Sequence, residues 1–237
     1  MNTLVAEHIV GLSAVELTQC DAAAARRRYD KVLAGGVLRP RGDRPCDLTD
    51  PGSVRDLDAL AGDGRFVFLS LGSRYRDVRD ATLCHGFAFD AERLVRDGAL
   101  VGPDLLSDYE ALADEIARDL DERSPGAPAT AEDLADFATL FGGDDPALLA
   151  AVQAMSGSRY WDILRALEDG DESPPEAAEA LARFRAGAAA IQARERVAGD
   201  VALERLRRGG QLEILWPGEL PLAWAVGRIE SGKLRAD

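Results

Sequence analysis

Hydrophobic and polar positions change their period along the chain, and the changes divide it. Residues 4–12 form a short apolar run with β-branched Val5, Ile9 and Val10, which predicts a strand near one side of a sheet. Residues 21–34 are charged and Ala-rich, with Tyr29, Val32 and Leu33 on one face, and predict a helix. Gly35-Gly36 ends it by offering a left-handed position. Residues 39–64, rich in Pro, Gly, Asp and Arg, predict a long surface loop. Residues 65–71 (RFVFLSL) are the clearest strand, and 86–90 (GFAFD) predict another with Phe87 and Phe89 on one face.

From residue 104 the period becomes helical. Leu105, Tyr109, Leu112, Ile116 and Leu120 fall on one stripe, and Leu148, Leu149, Val152, Trp161, Leu164 and Leu167 continue the pattern. Thr130–Asp133 and Ser173–Glu176 read as capping boxes. The second opens one long helix toward Arg208, stopped by Gly209-Gly210. Residues 211–216 (QLEILW) then alternate polar and apolar as a strand does. Pro217-Gly218 makes a turn, and 220–229 is extended or mixed. Strands at both ends with helices between predict an α+β fold: a core from 1–103 and 209–237, and a helical insert at 104–208.

Composition narrows the functions available. A 46% hydrophobic content supports a sizeable core, and an apolar set dominated by Ala and Leu favours helices over a β-sandwich. The net charge of -14 repels phosphate backbones at long range, so an extensive nucleic-acid surface is not expected. Cys20, Cys46 and Cys84 are widely spaced without a CxxC, and His8 and His85 are the only histidines; no metal site is expected, and the cysteine usage fits a reducing cytoplasm. No apolar run reaches the ~18–20 residues of a membrane span, and the first residues lack the pattern of a secretion signal. A GxSxG elbow, a P-loop and a GxGxxG after a strand are all missing. Adjacent Cys84 and His85 would point opposite ways on an extended chain, which disfavours a thiolate–imidazole pair.

One ordered set of segments carries more. His8 stands in EHIVGL, a helix ends in YDKVLAGGVLRP, Ser70 stands in FVFLSL, and Gln211 and Glu213 open QLEILWPGELPLAWAV. In this order the chain resembles the ADP-ribosyltransferase superfamily, with the closing strand similar to the DarT-like branch. The resemblance covers the first hundred residues or so and the last thirty. It implies a split β-sheet core with a large helical insert, NAD as the cofactor consumed, and a macromolecular acceptor. A toxin or defence effector with a cognate inhibitor fits that picture.

The resemblance also implies roles. Glu213 would stabilise the oxocarbenium-like charge that develops as the nicotinamide–ribose bond breaks. Gln211, two residues away on the same strand face, would orient the acceptor. His8 would hold a ribose hydroxyl or the nicotinamide amide, and Ser70 would support Glu213 or the nicotinamide ribose. Arg74, Arg76 or Arg79 would pair with the pyrophosphate, with Tyr75 lining the same stretch.

Each residue also has a plain structural reading. Glu213 fits the solvent face of an amphipathic edge strand with Leu212, Ile214 and Trp216 inside. His8 fits a structural hydrogen-bonder, Ser70 a satisfied core hydroxyl, and the arginines a solvated loop paired with Asp77 and Asp80. Two rival functions remain at this level: an acidic, non-catalytic interaction module of the immunity or antitoxin kind, motivated by the charge, and an NAD glycohydrolase that transfers to water.

Overall fold

The computed structural model describes residues 4–10, 21–40, 42, 49, 64–72, 80–103, 150–151, 163, 166–167, 169–172, 175–209 and 212–236. The helical stripe and capping box expected between residues 104 and 149 lie outside the described residues. The described strands are β1 (Val5–Ile9), β2 (Val37–Leu38), β3 (Phe66–Leu71), β4 (Gly86–Asp90), β5 (Leu100–Pro103), β6 (Leu212–Pro217), β7 (Leu220–Pro221), β8 (Ala225–Glu230) and β9 (Lys233–Ala236). The helices are α1 (Ala22–Gly35), α2 (Ala91–Arg96), α3 (Ala177–Glu195) and α4 (Gly199–Arg208). The fold is α+β.

Seven strands form one sheet in the order β5-β6-β3-β1-β4-β8-β9, and every neighbouring pair is antiparallel. The first strand is therefore the central one, and the expectation that it lies near one side is corrected. A strand's own periodicity does not encode its place in a sheet. Two-sided burial does, and here Glu7 conceals it: Ala6 and Glu7 point to opposite faces, yet both are buried.

One face of the sheet carries the core. Ala6, Leu69, Phe87, Phe89, Ile214 and Trp216 meet Tyr29 of α1, Leu94 and Val95 of α2, and Ala202 and Leu206 of α4. Local chemistry sets the helices in place. The Asp21 side chain accepts the Ala24 N–H and caps α1, and Gly36 closes that helix at a φ of 69°. The next two residues pair at once: Val37 faces Pro221 and Leu38 faces Leu220, so the exit of α1 joins the ELPL segment in the small β2–β7 ribbon. Asp90 ends β4 and caps α2 through the Arg93 N–H.

The long helix expected to run toward Arg208 is two helices. Between α3 and α4, Val197 exchanges two 2.9 Å backbone hydrogen bonds with Val101, and Gly199 adopts a φ of 59°. Arg196 to Ala198 thus leave the helix to add a bridge beside β5, which the side-chain pattern alone does not announce.

Contacts divide the chain into two compact units. One holds 1–44, 63–104 and 196–237, the other 45–62 and 105–195. The first contains the whole sheet with α1, α2 and α4. In the second, α3 buries Ala177, Ala180, Leu181, Phe184 and Ala188 at the three- and four-residue spacing of one helical stripe.

Candidate functional site

The site is built from register. Glu7 of β1 lies opposite Ser70 of β3, and Ser70 lies opposite Glu213 of β6. Directly opposed residues in antiparallel strands project to the same face with Cβ atoms about 5 Å apart. Glu213, Ser70 and Glu7 therefore form a straight polar row across three adjacent strands, on the face away from the core. Small residues flank it: Gly102 faces Glu213 from β5, and Ala88 and then Gly227 continue the row beyond Glu7. Two carboxylates and a hydroxyl thus share one row whose flanking positions carry little or no side chain.

Burial differs along the row. Glu7 is 3% exposed and Ser70 is buried, while Glu213 is half-buried. The Ser70 hydroxyl donates to the backbone oxygen of Glu7 at 3.3 Å, so it bonds the strand rather than a carboxylate. β6 is flanked by β5 and β3, so Glu213 does not stand on an edge strand. Leu215, two residues along on the same side, is buried, so that side is not a solvent face either.

His8 occupies a distinct place. β1 and β3 share only two rungs, Ala6↔Leu71 and Glu7↔Ser70. In that register the next hydrogen-bonded rung would pair Ile9 with Phe68, and it does not form. Instead, Nδ1 of His8 lies 2.8 Å from the Phe68 carbonyl oxygen. A carbonyl only accepts, so Nδ1 carries the proton and the ring replaces the missing backbone donor. The ladder between β1 and β3 ends at this point, and the imidazole bonds the Phe68 carbonyl instead. Its Cβ leaves β1 on the side opposite to Glu7.

The structure thus brings Ser70 and Glu213 together as direct neighbours, whereas His8 projects from the opposite, core-side face of the sheet, bonds the Phe68 carbonyl there and does not join Glu213. Gln211, Arg74, Tyr75, Arg76 and Arg79 lie outside the described residues. Glu7 is the residue that sequence reasoning missed. Only the strand register shows which of the neighbours Glu7 and His8 shares a face with Glu213.

Among the described residues no group of three or more His, Cys, Asp or Glu is arranged to hold a metal ion, and no helix is long and apolar enough to cross a membrane. No protein-family model matches the chain, and no curated protein or solved structure matches it either.

Proposed function

We propose that the protein is an NAD-dependent ADP-ribosyltransferase acting on a macromolecular target, in a toxin or defence role, with Glu213 as its central catalytic residue. One observation carries this reading. Glu213 and Ser70 come from segments more than a hundred residues apart that both bear the family resemblance, and they are direct cross-strand neighbours.

The chemistry asked of these residues is modest and local. NAD supplies the ADP-ribosyl group: its nicotinamide–ribose bond breaks, the bonding pair leaves with nicotinamide, and the acceptor's lone pair forms the new bond at the same carbon. The acceptor's proton passes to solvent or to a neighbouring base. A half-buried carboxylate facing that carbon stabilises the positive charge that develops there, and more strongly than it would in water. Ser70, fixed by its bond to the β1 backbone, sets the floor beside Glu213 rather than taking part in proton transfer.

The test uses NAD labelled on its adenosine part, incubated with the whole protein and a cell extract. Label is expected on macromolecules with wild type and not with Glu213→Gln. Free ADP-ribose alone would move the reading to a glycohydrolase. A folded protein that neither binds nor consumes NAD would favour the acidic interaction module.

A further inference from the structure

Independently of the transferase reading, we propose that β9 is an open sheet edge that takes up an acidic, extended strand from a partner protein. Between β8 and β9, Ser231 and Gly232 have φ values of 46° and 72°. Two successive left-handed residues are what a two-residue type I′ hairpin requires. The turn is fastened to its surroundings. The Gly232 N–H donates to the Cys84 carbonyl at 3.0 Å, and a Cβ on Gly232 would lie 3.1 Å from Cβ of Ala81. β9 is therefore held as a strand, and a partner does not have to order it on binding.

The turn also fixes which backbone groups face outward. In a two-residue hairpin the closing pair, here Glu230 and Lys233, exchanges both backbone hydrogen bonds, and bonded and unbonded pairs then alternate. The Arg235 backbone bonds that of Arg228 in the same way. The N–H and C=O groups of Leu234 and Ala236 therefore point away from β8. Among the described residues β9 ends the strand order, and all four of its residues are exposed. The opposite edge is closed. Val101 of β5 already exchanges two hydrogen bonds with Val197, and Pro103 has no N–H to offer.

Side chains select the occupant. Lys233 and Arg235 stand on one side of β9, about 7 Å apart along the strand. Neither makes an ion pair among the described residues. Glu230, opposite Lys233, is engaged by Arg26 at 3.5 Å. Leu234, on the other side, reaches over Gly227 and is still 40% exposed. A second copy pairing through its own β9 would set these cations against one another, and like charges across a ladder disfavour it. A strand that bonds Leu234 places its two flanking residues opposite Lys233 and Arg235. Carboxylates at those positions, with an apolar residue between them, complement this edge. The net charge of -14 repels such a strand only at long range, where salt screens it beyond about 8 Å; the local pairs decide contact.

The experiment titrates the isotope-labelled full chain with a capped peptide of about ten residues in which Glu and Val alternate, and with a counterpart in which Lys replaces Glu. Amide shifts and hydrogen exchange are followed by NMR. The acidic peptide is expected to slow exchange at the Leu234 and Ala236 amides about tenfold, and far less at Lys233 and Arg235, which already bond β8. It should bind about tenfold tighter than the basic peptide, and joint Lys233→Glu and Arg235→Glu substitution should invert that order. Leu234→Pro removes an outward N–H and no bond to β8. It should abolish binding while the unfolding midpoint stays within about 3 °C. Equal binding of the two peptides overturns the acidic occupant. Binding that survives Leu234→Pro, or no protection of Leu234 and Ala236 at the highest peptide concentration, overturns the edge as a docking site. Self-association of the chain that protects the same two amides assigns the edge to a second copy and overturns the proposal as well.

Discussion

At the residue scale, two glycine- and histidine-centred contacts hold the middle of the sheet. A Cβ on Gly86 would lie 2.1 Å from the backbone oxygen of His8, and no side-chain rotation relieves a clash with backbone. Gly86→Ala should therefore destabilise the protein by about 3 kcal/mol or more, read by denaturant unfolding, well above an ordinary surface change. A loss under about 1 kcal/mol would mean that β1 and β4 do not approach as described. The second residue is His85, 4% exposed, with Nδ1 buried and lacking a hydrogen-bond partner. Burial first, and then the Arg26 guanidinium, push its pKa below the ordinary imidazole value. Glu230, a hydrogen bond to the Thr82 backbone and Asp30 oppose that shift without reversing it.

The sign follows from linkage. The unfolded chain binds a proton on this ring more readily than the folded one, so stability is full above the ordinary value of about 6.5 and is lost as pH falls below it. The unfolding midpoint should drop between about pH 7.5 and about pH 5.5, where carboxylates barely titrate. His85→Gln should flatten that drop, and an equally steep drop in the variant would assign the effect elsewhere. The contrast between Glu7 and His8 marks what single residues reveal in advance. Their chemistry was readable, but which one shares a face with Glu213 depends on register, and register is fixed by partners far away in sequence.

At the element scale, legibility followed how local the deciding forces are. α1 was readable almost to its ends because Asp21, Tyr29 and Gly36 act within the helix: a cap, a core contact and a left-handed stop. Asp21→Ala should cost about 1 kcal/mol of stability, measurable as a lower unfolding midpoint, and no loss would mean that the cap bond is not made in solution. β3, β4 and β6 were readable from alternation and apolar runs. The break between α3 and α4 was not, since the Val197–Val101 bridge that draws the chain out of the helix is a contact between distant segments. β9 was also missed: its residues are all exposed, and their charges resemble a solvated tail until Gly227 meets Ala236 across the ladder. Trp216 donates to the Glu219 carbonyl at 2.9 Å and packs edge-on against Trp224, which ties the turn back to β6.

At the scale of the whole molecule, the antiparallel sheet does what the periodicity of separate segments cannot. It places β6, from near the end of the sequence, two strands from β1, with only β3 between them. Glu213, Ser70 and Glu7 meet for that reason. The most direct measurement is nicotinamide release from NAD by the purified wild-type protein and by Glu213→Gln, compared at equal folded concentration. The account predicts steady release that falls by at least about a hundredfold in the variant, the scale seen when a charge-stabilising group is removed from a catalytic centre. Equal release from both proteins would contradict it.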